Sequence, residues 1–214
     1  MFGPFELKTQ FIKIGSKKIH LLEEAGGFVR YRRDEVERLI KKVEGGKLLV
    51  IPTPATGYGV KLLMILLREP LAVPPGESVE GFLEAPVDVE VRTGSLTIDG
   101  FTPCREKYAL YGSVERGAIA RYYVSNFMPN EPDSLGVLKV SVENPSGEWK
   151  GLDKVVLPLD GTPMYYSTDR AYYPLIRILL RNGGPEVNNT GEPPREGLSS
   201  FGPKRALPKF LMRW

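Results

Sequence analysis

The chain is poor in the residues that most often mark a catalytic or metal site. It has one cysteine, Cys104, one histidine, His20, and one glutamine, Gln10, in 214 residues. A single cysteine excludes an internal disulfide framework and any multi-cysteine zinc site, and it favours a reducing compartment. A lone histidine with no neighbouring Cys, His or Asp is far more often an ordinary surface residue than a base or a ligand. No G-x-S-x-G elbow, H-E-x-x-H helix or dinucleotide fingerprint occurs. Long apolar runs are missing as well; the longest near the middle, 62–67, is six residues, too short to cross a bilayer. The opening MFGPFELKTQF has no basic segment followed by an apolar one, so no secretory signal is visible and a cytoplasmic location is expected. Scarce Gln and Cys beside abundant Lys, Arg and Glu resemble the composition of a hyperthermophile.

What is present describes a folded β protein. With 42% hydrophobic and 26% charged residues the composition is that of a globular chain, and the length suits one large β domain or two small ones. The net charge of +3 is unevenly placed: residues 195–214 hold five basic side chains against one acidic, and the remainder holds 24 against 25. A body this close to neutral is not expected to bind nucleic acid directly, nor is a membrane a partner.

Taken in order, residues 6–33 read as a three-stranded meander, with turns at Gly15-Ser16 and Gly26-Gly27. Alternation puts His20 on the face opposite Ile19 and Leu21, the solvated one. Asp34 and Glu37 then form a capping-box pattern, and Val36, Leu39, Ile40 and Val43 make an apolar stripe, predicting one short helix that ends at Gly45-Gly46. The Arg30-Tyr-Arg-Arg33 cluster before it is read as a solvated strand end or a basic patch. Beyond residue 47 the signal is strand. The loop PTPATGYG lacks the spacing and the hydroxyl of a phosphate-binding turn. Residues 87–92 alternate Val with Asp88, Glu90 and Arg92, a half-buried antiparallel pattern.

Residues 107–127, KYALYGSVERGAIARYYVSNF, give two strands around a glycine-flanked loop at 112–117. Ser113, Arg116 and Arg121 are the candidate pocket residues here. Strands of five to nine residues with Gly or Pro turns between them predict an all-β antiparallel sandwich or barrel-like architecture over residues 1–181. A break near 130–135 would divide it into two subdomains. Pro174 inside the last strand, 172–180, predicts an edge or a bulge.

The segments PPGESVEGFLEAPVDVEV, KYALYG, RGAIARYYVS and VLKVSVENPSGEWKGLDKVVLP resemble an uncharacterised archaeal family, domain-of-unknown-function family 432. The resemblance covers most of residues 6–180. It implies an archaeal source and carries over no activity, cofactor or catalytic residue.

From residue 182 the composition turns to Gly, Pro, Asn and Ser, and 182–203 reads as a flexible linker. It is followed by KRALPKFLMRW at 204–214, where apolar residues return. Lys204, Leu207, Phe210 and Leu211 resemble the peptide by which replication and repair proteins dock on a sliding clamp, with Trp214 beyond. Lys204 stands where Gln is preferred, Leu211 where an aromatic is, and Pro208 limits the turn. Folding back onto a sheet edge, or docking on a second copy, would also account for these residues. The expectation is a non-enzymatic binding protein that uses no cofactor or metal and holds a protein partner through its C-terminal peptide, the archaeal sliding clamp being the candidate. A metal-assisted hydrolase or phosphoesterase on a β scaffold, and a homo-oligomeric module with a fold-back tail, are the alternatives.

Overall fold

Alternating burial in residues 10–41 builds the first sheet of the computed structural model, which describes residues 1–201 and 209–212. After β1 (Gly3–Glu6), the strands β2 (Gln10–Ile14), β3 (Lys17–Glu24), β4 (Phe28–Arg33) and β5 (Val36–Lys41) form an antiparallel meander. Ile12, Ile14, Ile19, Leu21, Val29, Tyr31 and Ile40 point into the core, and His20 lies on the exposed face as alternation requires.

The helix predicted from Asp34 is absent; residues 36–41 are the fourth strand. Asp34 takes a positive φ of 48°, and with Glu35 it makes a two-residue hairpin turn, Arg33 pairing Val36. The apolar stripe fits a helix, but the open edge of β4 needs hydrogen-bond partners, and pairing with β5 supplies them. Leu39 and Val43, which a helix would have buried, are exposed.

The meander is joined to the next sheet through a buried arginine. β6 (Lys47–Pro54), β7 (Leu62–Val73), β8 (Ser78–Glu84), β9 (Val87–Thr93) and β10 (Leu96–Phe101) follow, and β1-β6-β9-β10 form one antiparallel sheet. Arg33 of β4 donates through Nε and Nη2 to both carboxylate oxygens of Asp99 on β10, at 2.6 and 3.0 Å. Tyr31 Oη donates to the same carboxylate, and the Phe101 ring lies 4.4 Å beneath the guanidinium. Every charge in this buried group has a partner, the condition under which a buried ion pair is tolerated.

β11 (Tyr108–Tyr111) and β12 (Ala118–Ser125) form a hairpin, and β12 continues parallel to β7, which pairs on its other side with β14 (Lys150–Pro158). The last sheet centres on β13 (Gly136–Glu143), antiparallel to β8 along one edge. Along the other edge it meets β16 (Ala171–Tyr172) and then β17 (Ile176–Arg181), both parallel. The predicted strand 172–180 is thus two strands, broken around Pro174, which has no N–H to give to a ladder. β15 (Met164–Tyr166), β18 (Gly184–Asn189), β19 (Ser199–Phe201) and β20 (Phe210–Leu211) complete this sheet of eight. The fold is therefore all-β with mixed sheets, and one hydrophobic cluster takes in residues from Phe2 to Met212.

The stretch read as a linker, 182–203, contains β18 and β19. Asn182-Gly183 is a tight turn between β17 and β18. Val187 is the large apolar anchor of β18, while the buried Asn189 donates to Thr162 Oγ1 at 3.2 Å and accepts from the Gly191 N–H at 3.1 Å. Hydrogen bonds do here what apolar burial does elsewhere, which a composition argument does not detect.

Candidate functional site

Two sites grow out of residues 107–127. The first surrounds Arg121, whose side chain is wholly buried. Pairing of Tyr108 with Arg121 across the β11–β12 hairpin sets phenol and guanidinium side by side. Arg121 Nη1 donates to Tyr108 Oη at 3.0 Å and lies 3.2 Å from Glu106 Oε1; Nη2 is 4.0 Å from Cys104 Sγ. Its Nε is buried without a hydrogen-bond partner among the described residues. Tyr108 Oη in turn donates to Glu106 Oε2 at 3.1 Å.

A second carboxylate joins through Thr102. Its hydroxyl is 2.8 Å from Glu106 Oε1 and 2.6 Å from Asp88 Oδ1, and Asp88 Oδ2 accepts the Gly57 N–H at 2.9 Å. A hydroxyl has one proton, so both contacts are hydrogen bonds only when one carboxyl is protonated. Burial pushes the Asp88 carboxyl above its ordinary range. At Glu106 partial burial works the same way, but hydrogen bonds from Thr102, Arg121 and Tyr108 outweigh it and hold the carboxyl low. Of the two, Asp88 is the carboxyl that holds a proton the more tightly. Burial also raises the Cys104 thiol, against the opposing pull of Arg121.

Gly57 belongs to the PTPATGYG loop, whose N–H meets a carboxylate rather than a phosphate. Its φ is +47°, and a Cβ there would fall 2.2 Å from Tyr108 Oη, so the loop approaches this closely only with glycine. A cavity of about 440 Å³ opens beside the cluster, lined by Gly57, Tyr58, Asp88, Thr102 and Glu106 among others. Sequence reasoning placed Asp88 on a solvated face and missed this cluster. The available signal was Arg121 itself, a charge inside the apolar run AIARYYV.

The second site holds the other two predicted pocket residues. Ser113 and Arg116, on the hairpin loop, line a groove of about 680 Å³ together with Leu62, Met64, Lys154, Phe210 and Leu211. The structure thus brings Ser113 and Arg116 next to the C-terminal segment and leaves Arg121 in the first site. The Arg116 N–H donates to Ser113 Oγ at 3.2 Å, which rigidifies the loop.

Residues 209–212 lie back on their own chain. Phe210 pairs with Val187 and Leu211 with Glu186 as β20 joins β18, and the Phe210 ring lies 6.2 Å from that of Tyr111. Lys209 Nζ bonds Glu186 Oε1 at 2.7 Å. Met212 is 1% exposed, its N–H donating to Pro185 O at 2.8 Å and its Sδ accepting from the Val156 N–H at 3.1 Å. Leu211 stays 55% exposed. Lys204, Leu207 and Trp214, the other predicted partner-binding residues, lie outside the described residues.

Among the described residues no group of three or more His, Cys, Asp or Glu side chains is placed to hold a metal ion, and no helix is long and apolar enough to cross a membrane. Neither curated proteins nor solved structures gave a match to this chain. A family model does match, over residues 1–212, and by that match the chain belongs to the family described as protein of unknown function (DUF432).

Proposed function

We propose that the chain is a binding protein whose C-terminal segment is an exchangeable anchor, seated in its own groove when idle and released to dock on a protein partner. The observation that carries this reading is the shortness of β20: two paired residues at a sheet edge, beside a groove that leaves Leu211 in water. In the seated strand Phe210 and Leu211 point to opposite faces. A single helical turn would instead gather Leu207, Phe210 and Leu211 on one side, the arrangement that fills an apolar pocket on a sliding clamp. Seated and docked conformations exclude each other, so the groove competes with the partner and lowers its apparent affinity.

Calorimetric titration of an archaeal sliding clamp with a 200–214 peptide, and separately with the full chain, tests this. The peptide is expected to bind more tightly than the full chain, and Leu207→Ala with Phe210→Ala to abolish the heat. No heat, or heat unchanged by those substitutions, rejects the clamp as partner. The burial of Met212 favours a second reading, a permanent seal on the β18 edge. Hydrogen exchange of the 210–212 amides as slow as that of the core strands would select it.

A further inference from the structure

The outer face of the β2–β5 meander carries an unusual combination of side chains. Phe11, Leu22 and Leu39 are 68, 50 and 60% exposed, and the Phe11 ring meets His20 edge-on at 4.6 Å. Registers Phe11–His20–Arg32 and Leu22–Arg30–Leu39 place these groups in adjoining rows across the strands. Lys13, Lys18, Arg32 and Lys41 point the same way and have no ion pair among the described residues. The two outward carboxylates, Glu24 and Glu37, are both taken up by Arg30, at 2.7 and 2.8 Å. A depression of about 320 Å³ between Ser16, Lys18, His20, Arg32 and Asp34 opens on this face, and Asp34 there is already bound by Lys17 and Arg33. Near-neutrality of the body conceals a separation of charge: residues 8–42 hold ten basic and five acidic side chains, whereas 1–7 and 43–194 together hold 14 and 20.

We propose that this face binds single-stranded DNA, with Phe11 and His20 as a platform for base faces and Lys13, Lys18, Arg32 and Lys41 on the phosphates. Cations interleaved with an exposed aromatic are what a sequence-tolerant single-strand surface needs. The path from β2 to β5 is about 14 Å, three strand spacings, room for about four nucleotides at stacked spacing. The apolar groups lie flush with the sheet instead of protruding from a loop tip, which suits bases laid on a surface and not insertion into a bilayer. No outward Ser, Thr, Asn or Gln lies on these strands and the carboxylates are engaged, so a ribose 2′-hydroxyl finds no ready acceptor.

Fluorescence anisotropy of the full chain with a labelled oligo-dT of about 12 nucleotides, over a salt series, is the test. Binding is expected to weaken with salt at a slope near −3 in log K against log salt, from about −0.7 for each of the cations on phosphate. Phe11→Ala is expected to cost about tenfold, and Lys18→Glu with Arg32→Glu to remove binding at moderate salt. All three positions are exposed, and unchanged thermal melts would verify the fold. Failure to bind oligo-dT at low salt overturns the proposal, as does binding that these variants leave intact. Oligo-U bound tenfold more tightly than oligo-dT would overturn the choice of DNA. Capture by anionic vesicles without oligo-dT binding would assign the face to lipid, and masking of it by self-association in light scattering would assign it to a second copy.

Discussion

The chain buries two arginines and treats them differently. Arg33 is gripped by both oxygens of Asp99, backed by Tyr31 and underlain by Phe101; its hydrogen bond with Asp99 raises its already high pKa. Arg121 is more deeply buried, yet it shares a half-exposed Glu106, leans on a phenol and a thiol, and leaves Nε without a partner among the described residues. The first is a rivet between two sheets. The second stands behind Glu106, which lines a cavity, and is bound only in part.

The comparison breaks or sharpens on matched substitutions. Arg33→Met would leave the Asp99 carboxylate buried and unpaired, and should cost about 3–5 kcal/mol in denaturant unfolding. Arg121→Met leaves Glu106 with water on one side and with Thr102 and Tyr108 still bonded, so a loss within about 1 kcal/mol is expected. Equal losses would erase the distinction between the two arginines.

The smallest effect is one of pH. Burial lifts the Asp88 carboxyl above its ordinary 3.8, so the folded chain holds that proton more tightly than the unfolded chain does. The stability so gained is whole below 3.8 and is lost as pH rises through the folded-state value. Melting temperatures from about pH 4 to about pH 7 should therefore drift less with pH in Asp88→Asn than in the parent chain. A parallel drift in both would mean that Asp88 is not the proton holder.

How much of this was legible beforehand differs by region. Period-two burial and glycine turns made the meander readable from 10 to 33. Residues 34–46 misled because a helical stripe and a capping pair are local signals, while the unpaired edge of β4 is not. Residues 182–203 misled because their polar side chains are satisfied by partners such as Thr162, distant in sequence. Asp88 joins Glu106 through Thr102, and Glu106 meets Arg121 across the β11–β12 hairpin; nothing in their spacing announces it.

The pairing of β12 with β7 has a kinetic consequence. The parallel ladder between β7 and β12 aligns Leu62 with Ala120 and Leu63 with Arg121, so a loop of nearly sixty residues must close before it exists. Closing such a loop costs about 3–4 kcal/mol of chain entropy before any contact offsets it, and topologies rich in distant pairings fold slowly. Until the ladder forms, the β11–β12 hairpin alone sets Arg121 beside Tyr108, and the guanidinium stays open to water on the side that β7 later covers. The burial of Arg121 is thus a late product of folding, and a partly folded chain, even one whose meander is complete, holds that charge in water.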